Sequence, residues 1–264
     1  MSDLPCVMAR YARGGAFAAA PAAAPAAATG VSADDILGMS PLWWLDADAE
    51  YVEEGSGDPV ETDGDNVTNW IDRSGNDRHF VGYSSGYYPH WYSSGTNSKP
   101  NVWFEGDRLR WIGDATYSTP MTMYWVMSHD TATQSGLQFW NSASSYYRTY
   151  STGSYPGGHR VAFGTSGEPI YNNVQSTDTR IIQLFASGSD KKLRVNGGAD
   201  EGVDLLDASA QTENLITSGQ NFYFGFGLQF KCYEWIVIPD VTHDQDKVFE
   251  YLADKYDLSV EDVS

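Results

Sequence analysis

The sequence predicts an all-β fold, an antiparallel β-sandwich with one helix at its C-terminal end and an extended arm at its N-terminal end. The 264 residues include 26 glycines, and 14% of them are aromatic, which is typical of a β domain with many turns. Long stretches of helical periodicity are almost absent. The strongest local patterns, a strand followed by a helix, lie together in residues 231–258.

The C-terminal stretch begins as a strand and continues as a helix. Residues 233–238 are aromatic and β-branched and end at Pro239, which stops a strand. Residues 242–245 have the form of a capping box, with a hydroxyl at the N-cap and an amide three positions later. Apolar residues then recur at helical spacing, namely Phe249, Leu252, Ala253 and Tyr256. We therefore predict an amphipathic helix over residues 242–257, packed on the rim of a sheet.

Two further patterns shape the middle of the sandwich. Residues 121–127 are continuously apolar and aromatic, which predicts a central strand covered on both faces. Residues 72–76 form a cluster of turn-forming side chains, in which Gly75 can adopt a positive φ and Asp72 can bond neighbouring backbone groups. We expect this turn to have a structural role at one edge of the sandwich.

Three blocks of the sequence resemble one domain family, in the same order. The first combines residues 42–47 with residues 67–77, the second is residues 101–107, and the third is the C-terminal strand and helix. Together they are similar to laminin-G-like (concanavalin A-like) domains of the type found in phage virion proteins. The resemblance implies an antiparallel jelly-roll sandwich over residues 41–264. It specifies no function, because unrelated functions share such folds.

The first 40 residues have a different composition from the rest. Their alanine run is interrupted by Pro21 and Pro25, which break a helix, and the segment has too little apolar surface to order itself. We interpret residues 1–40 as an Ala/Pro-rich anchoring arm that becomes ordered on a partner, with a short capped helical turn at residues 31–37. The residues expected to anchor it are Leu4, Val7, Met8, Arg10, Tyr11, Arg13 and Phe17.

Two other interpretations of the arm stay open. Arg10 and Arg13 followed by the alanine run could belong to a signal peptide, but that run contains no Leu, Ile or Val and includes two prolines. The arm could also be a remnant of cloning or processing.

Charge and cysteine usage argue against several classes of partner. The formal net charge is −19, which disfavours nucleic acid, since phosphate contacts need clustered Lys and Arg. No apolar stretch approaches the length of a membrane span, so no membrane partner is expected. Cys6 and Cys232 are too few for a disulfide framework. We expect free thiols, which are compatible with folding in a reducing cytoplasm.

The positions of the carboxylates do not predict an enzyme. Polysaccharide hydrolases with related sandwiches need two carboxylates on one face, about 5–5.5 Å apart when the enzyme is retaining. Asp46, Asp48 and Glu50 alternate where the first strand meets its loop, which would place them on one face, but we expect no second acidic strand opposite them. Glu234 stands alone in its strand. The sequence therefore predicts no catalytic residue.

Neither a cofactor nor a metal is expected. The five histidines show no paired ligand spacing. A weak calcium candidate is the acidic loop that contains Asp58, Glu61, Asp63 and Asp65, because Ca²⁺ binds about six to eight oxygens. A solvated loop is the alternative interpretation.

Aromatic residues interleaved with Ser and Gly in loops are typical of sugar-stacking and protein-contact surfaces. Residues 83–92 form one such patch, and residues 146–155 contribute a second. The candidate contacts are Tyr87, Tyr88, His90, Trp91, Tyr92, Tyr146 and Tyr147. Three interpretations stay open: packing of the loops onto the sandwich, contact with a protein, and contact with a glycan.

These patterns favour a non-enzymatic structural protein of a phage virion, specifically a capsid decoration (cement) protein assembled in the host cytoplasm. The arm would bind the major capsid protein or neighbouring decoration subunits, and the sandwich would display a lectin-like surface on the virion. A host surface glycan is a further candidate partner. Two alternatives remain: a glycan- or receptor-binding tail or fibre module, and a secreted bacterial polysaccharide-binding or hydrolysing protein.

Overall fold

A computed structural model describes residues 30–113, 117–118, 120–128, 134–141, 146–152, 159–163, 170–172, 178–187, 190–195, 214–216, 221–225 and 229–259. Helix α1 (Ala33–Gly38) precedes the strands, and helix α2 (Gln245–Tyr256) follows them. Single 3₁₀ turns occur at Ala49–Tyr51 and Thr96–Ser98. The strands, in chain order, are β1 (Trp43–Asp46), β2 (Val52–Glu53), β3 (Asp65–Asn66), β4 (Asn69–Trp70), β5 (Phe80–Gly82), β6 (His90–Tyr92), β7 (Asn101–Glu105), β8 (Leu109–Ile112), β9 (Tyr117–Ser118), β10 (Met121–Ser128), β11 (Gln134–Asn141), β12 (Tyr146–Thr152), β13 (His159–Phe163), β14 (Ile170–Asn172), β15 (Arg180–Ser187), β16 (Asp190–Val195), β17 (Asn214–Ile216), β18 (Asn221–Phe224) and β19 (Gln229–Ile238).

The strands form two large antiparallel sheets, which confirms the predicted all-β sandwich with a C-terminal helix. The first sheet has the order β16-β15-β10-β19-β7-β6-β3, and β1 also pairs with β19. The second has the order β14-β13-β12-β11-β18-β8-β5-β4-β2, and β17 pairs with β9 separately. Aromatic rings fill the space between the two sheets. Trp43 and Trp235 of the first sheet contact Phe80 and Phe222 of the second, with ring centroids 5.7–6.5 Å apart.

Strand β10 is covered on both faces, as its unbroken apolar sequence predicted. Its side chains are all buried. Met123 and Trp125 belong to the core between the sheets, whereas Tyr124 and Val126 belong to a second cluster beneath α2. An alternating strand would leave one face in water, so the continuous run identified a strand enclosed between a sheet and a helix.

Helix α2 begins later than predicted, and it packs on the face of the first sheet instead of on its rim. Its N-cap is Asp244, which accepts a hydrogen bond from the Lys247 amide, so the predicted start at residue 242 was wrong. The Thr242 hydroxyl donates to the carboxylate of Asp240 instead, within an Asx turn that occupies the residues before the helix. The predicted packing on a rim was also wrong. Apolar residues of α2 pack on the outer face of the first sheet, including Val248, Phe249 and Leu252 against Ile236 and Ile238.

The two short motifs predicted from local sequence are present. Ser32 and Asp35 form a reciprocal capping box at the start of α1. Gly75 has a φ of +83°, as the turn at residues 72–76 required. The thiol of Cys232 is buried and free, in agreement with expectation, whereas Cys6 lies outside the described residues. No helix in the described part of the chain is long and apolar enough to span a membrane.

Asp72 fastens the turn to the sandwich. This carboxylate is buried and accepts the backbone N–H groups of Trp44 at 2.9 Å, Ser74 at 3.0 Å and Arg78 at 3.2 Å. It therefore joins the start of β1 to the chain that follows β4, which supports the structural role predicted for the turn.

We expect Asp72→Asn to lower the free energy of unfolding by about 2 kcal/mol or more. The amide has one oxygen instead of two, and its NH₂ group would face backbone donors, so charge-assisted bonds would be lost. Chemical denaturation measures the change. The control is Asp77→Asn in the same turn, an exposed position with a φ of +56° that asparagine tolerates. Equal stability of the two variants would contradict the role given to Asp72.

Candidate functional site

Two carboxylates that the sequence placed far apart lie opposite each other in the first sheet. Asp46 ends β1, Glu234 lies in β19, and the antiparallel register pairs them directly. Both side chains are fully buried. The expectation that no acidic residue opposes Asp46 was therefore wrong, and so was the expectation that Glu234 stands alone. No local pattern could reveal this pair, because it joins the two ends of the described domain.

Lys255 of α2 bridges the two carboxylates. Its Nζ lies 2.6 Å from Oδ2 of Asp46 and 2.9 Å from Oε2 of Glu234. Arg73 approaches the same oxygen of Asp46 with Nη1 at 2.5 Å. Two acids and two bases thus balance in charge, as a buried ionic cluster requires.

Two further side chains donate hydrogen bonds to the carboxylate of Glu234. Nε1 of Trp44 donates to Oε1 at 2.6 Å, and the hydroxyl of Tyr256 donates to Oε2 at 2.8 Å. Burial raises the pKa of Glu234 above its ordinary value, although Lys255 opposes that shift. Burial alone would lower the pKa of Lys255, but the charges of Glu234 and Asp46 outweigh this effect and raise it. Lys255 is therefore protonated at neutral pH.

The carboxylate pair faces the helix instead of an open cleft. Neither Asp46 nor Glu234 is exposed to solvent, and the side chains of Lys255 and Arg73 are only 17% and 20% exposed. Asp48 reaches the margin of the cluster, with a carboxylate oxygen 3.6 Å from Nζ of Lys255. In this arrangement the acids fasten α2 to β1 and β19.

In the acidic loop proposed for calcium, two carboxylates accept hydrogen bonds from backbone N–H groups. Asp65 accepts the amide N–H groups of Glu61 and Thr62 at 3.0 and 2.8 Å, and Asp63 accepts that of Ser93 at 2.7 Å. Within the described ranges, no three His, Cys, Asp or Glu side chains are grouped so that they could hold a metal ion. The structure therefore does not bring Asp58, Glu61, Asp63 and Asp65 together as a set of ligands.

Trp91 is a core residue, so its prediction as a surface contact was wrong. It is 5% exposed and belongs to the core between the sheets, and its Nε1 donates to the carbonyl of Ala47 at 2.8 Å. In β6, Trp91 points inward, whereas its chain neighbours His90 and Tyr92 are partly exposed. This alternation could not be recognised in the sequence because the residues around it are also aromatic.

The other predicted contacts are scattered. Tyr87 is 45% exposed, and its ring lies beside that of Tyr83 beneath the guanidinium of Arg108. The Tyr88 ring occupies the space over Gly82. Nδ1 of His90 is hydrogen-bonded to the carbonyl of Gly64 at 3.0 Å.

Several predicted residues cannot be placed. Tyr146 and Tyr147 lie in β12, but their side chains fall outside what the structure describes. The arm residues also lie outside the described residues, namely Leu4, Val7, Met8, Arg10, Tyr11, Arg13 and Phe17.

Tyr92 lies in a cleft that the sequence did not predict. The cleft has a volume of about 200 Å³, and its residues in β6 and β7 alternate with the core residues Trp91 and Val102, so it lies on the outer face of the first sheet. The cluster beneath α2 includes no residue of these two strands. The register places Tyr92 opposite Asn101 and Trp103 opposite Lys231. The rings of Tyr92 and Trp103 are 5.8 Å apart and inclined by 57°. Six residues line this Tyr92–Trp103 cleft, namely Tyr92, Ser94, Gly95, Asn101, Trp103 and Lys231.

Two polar side chains of the cleft lack partners within the described part of the chain. Nε1 of Trp103 and Oδ1 of Asn101 are both buried and make no hydrogen bond there. Buried polar groups are nearly always satisfied, so two such groups in one cleft indicate a place for a ligand or for water. Alternation within β7 could have indicated these residues, since Val102 and Phe104 are core residues and their neighbours must face outward.

The fold is similar to parts of larger solved structures. A GH54 α-L-arabinofuranosidase is 12% identical, with a TM-score of 0.55 over 82% of this chain and 62% of that chain. An arabinofuranosidase complexed with arabinofuranosyl-α-1,2-xylobiose is 12% identical, with a TM-score of 0.50 over 82% of this chain and 58% of its own. A Trypanosoma rangeli sialidase in complex with 2,3-difluorosialic acid is 9% identical, with a TM-score of 0.50 over 81% and 33%.

This chain therefore spans less than two thirds of each of those proteins. At 9–12% identity the likeness shows a shared β-sandwich fold and nothing finer. No protein-family model matches the sequence, and no curated protein matches it. The resemblance to laminin-G-like domains remains a prediction.

We expect Lys255→Met to destabilise the fold by about 3–5 kcal/mol, because it leaves Asp46 and Glu234 buried side by side without the cation that joins them. Lys247→Met is the matched control, since Lys247 lies on the exposed side of the same helix and exposed ion pairs contribute little. Thermal or chemical unfolding distinguishes the two. A Lys255→Met variant as stable as the control would remove the basis for the ionic cluster.

Proposed function

We propose that residues 41–264 form a non-catalytic glycan-binding module whose saccharide site is the Tyr92–Trp103 cleft. The observation that carries this proposal is the coincidence, in one cleft, of two inclined aromatic rings with the unpaired polar atoms of Asn101 and Trp103. Ligand sites combine apolar and aromatic walls with a few convergent polar groups. Sugars present C–H faces to aromatic rings and hydroxyl groups to polar atoms, so they match both features.

The size of the cleft favours one sugar unit. Its volume of about 200 Å³ lies below the roughly 300–1,000 Å³ that is usual for drug-sized ligands. A single residue of a polysaccharide, stacked against the paired rings of Tyr92 and Trp103 while the rest of the chain stays in solvent, fits this volume. The similar structures include two arabinofuranosidases and a sialidase, two of them with saccharide-like ligands bound, which adds support by analogy alone.

The absence of catalysis is proposed from the state of the carboxylates. Asp46 and Glu234 are neighbours, as the acids of a hydrolase are, but both are fully buried and bound to Lys255. A general acid or nucleophile must reach the substrate. Exposing this pair would require α2 to leave the sheet.

We expect Trp103→Ala to weaken polysaccharide binding at least about tenfold, equivalent to about 1.4 kcal/mol, and Tyr92→Ala to weaken it in the same direction. The physical reason is the loss of a stacking surface. Affinity electrophoresis or calorimetry against soluble polysaccharides measures the change, and the melting temperature checks the fold. Tyr87→Ala is the control, since this exposed tyrosine is absent from the cleft lining. Unchanged binding by Trp103→Ala, or no binding by the unaltered protein, would refute the proposed site.

We also propose a finer role as a capsid decoration protein, in which the arm binds the major capsid protein or adjacent decoration subunits at the virion surface. The support comes from the sequence: an Ala/Pro-rich arm with apolar anchors and Arg10 and Arg13 precedes the acidic domain. Segments that order on binding can wrap large surfaces.

Deletion of residues 2–30 should abolish attachment to preassembled capsids while leaving polysaccharide binding and the melting temperature unchanged. Co-sedimentation with the capsids measures attachment. As a control, Arg10→Ser with Arg13→Ser in the full chain tests whether charge, rather than length and apolar anchors, carries the affinity. Normal attachment by the truncated protein would contradict the decoration role.

Receptor binding by the truncated protein with no capsid attachment by the full chain would favour a tail or fibre module. A mature N-terminus beyond residue 28 would favour a secreted protein.

A further inference from the structure

Asn101 is an unusual residue at the base of the Tyr92–Trp103 cleft. Its side chain is 1% exposed, yet it makes no hydrogen bond with the described residues, and its Oδ1 is buried. An amide side chain offers two donors and an acceptor in one plane. The same strand places Trp103 two residues further on, on the same face, with its N–H also unpaired. A set of one acceptor and two kinds of donor is thus held in fixed positions.

The surroundings of Asn101 hold this amide in place. A Cβ at Gly95 would come 2.6 Å from Nδ2 of Asn101 and 2.8 Å from the hydroxyl of Tyr233, so the loop passes close over the amide only because glycine is there. The hydroxyl of Tyr233 is already bonded to Thr96, whose N–H it accepts at 3.0 Å. The loop therefore leaves the amide oriented but unsatisfied.

We infer that the cleft selects a neutral sugar ring with two adjacent hydroxyl groups, which Asn101 binds together. Nδ2 donates to one hydroxyl oxygen, the neighbouring hydroxyl donates to Oδ1, and Nε1 of Trp103 donates to a third oxygen of the ring. This inference rests on the proposed glycan-binding function and specifies the class of its ligand. Oδ1 of Asn101 and Nε1 of Trp103 make no hydrogen bond within the described residues, so a ligand that supplies these bonds gains affinity.

Hydrogen bonding at Asn101 and the overall charge favour a neutral ligand over an acidic one, although the lining also includes the cation Lys231. A carboxylate or sulfate accepts hydrogen bonds but cannot donate one, so it would leave Oδ1 of Asn101 facing its lone pairs. The net charge of −19 also repels polyanions over the distance of approach. Hydroxyl groups both donate and accept, and they carry no charge to be repelled.

The test uses the full chain and three variants that separate the hydroxyl contacts from ring stacking. Trp103→Phe keeps an aromatic ring and removes the N–H, and Asn101→Leu removes both polar atoms while keeping an apolar side chain of similar size. Trp103→Ala removes the stacking surface. The probes are neutral arabinan, xylan and β-glucan, the acidic polymers polygalacturonate and alginate, and the O-methylated form of whichever neutral polymer binds best.

The expected result is that a neutral polymer binds and both acidic polymers bind at least about tenfold more weakly at moderate salt. Trp103→Phe should lose about five- to tenfold and Asn101→Leu about tenfold or more, without a fall in melting temperature, because replacing an unsatisfied amide by an apolar group costs the fold little. O-methylation should weaken binding to the unaltered protein and make little further difference to Asn101→Leu, since removing one contact twice has no added effect.

The outcomes distinguish this inference from the function on which it rests. If Trp103→Ala abolishes binding while Asn101→Leu, Trp103→Phe and O-methylation leave it unchanged, the protein binds glycans by stacking and the hydroxyl-pair inference is overturned. Preferential binding of polygalacturonate or alginate overturns it as well. If no polysaccharide binds to the unaltered protein, the glycan-binding function and the inference fall together.

Discussion

The contact between Lys255 and the two carboxylates Asp46 and Glu234 is the constraint on which the arrangement of the domain depends. The three residues come from α2, β1 and β19, so a single ammonium group joins the first strand, the last strand and the closing helix. Buried charges tolerate little displacement, because moving Lys255 leaves Glu234 without a cation and Asp46 with Arg73 alone in a medium of low polarity. Apolar packing holds α2 against the sheet, whereas the ionic cluster fixes the position of α2 along the sheet.

The position of α2 in turn shapes the cleft. Nδ2 of Asn97 donates to the carbonyl of Tyr256 at 2.7 Å, at the end of the helix. The loop around Asn97 includes Ser94 and Gly95, which form one wall of the cleft. The helix thus covers one part of the outer face of the first sheet and holds the loop that encloses another part. A displacement of α2 would therefore reach Asn101 and Trp103 through this loop, even though no charge of the cluster lines the cleft.

The features that could be predicted from sequence are those that local chemistry determines. The capping box of Ser32, the positive φ of Gly75 and the enclosed strand β10 each follow from a few neighbouring residues, and each is present. The start of α2 was misplaced because two local motifs competed for Thr242, and the Asx turn of Asp240 formed in place of the capping box. Predictions therefore failed even locally where the same side chain served two plausible partners.

The functional residues were harder to predict because pairing between distant strands creates them. Trp91 stood out in an aromatic run, but the inward phase of β6 makes it part of the core. Asn101 and Trp103 belong to the block at residues 101–107, which indicated the fold but no binding role. They become notable because the cluster beneath α2 does not extend to β7 and because their polar atoms find no partner within the described residues.

The ionic cluster also shows how a β-sandwich can hold two adjacent carboxylates without exposing them to solvent. Adjacent antiparallel strands hold two acids side by side, which is the arrangement that a pair of catalytic carboxylates needs. Here Lys255 of the closing helix and Arg73 together neutralise them, and both acids are buried, so the charges serve to position α2. The neighbouring strands β6 and β7 contribute Tyr92, Asn101 and Trp103 to the cleft, and none of the six residues that line it carries a carboxylate. Removal of Lys255 would leave Glu234 without a cation and Asp46 with Arg73 alone, and these buried charges would first destabilise the fold.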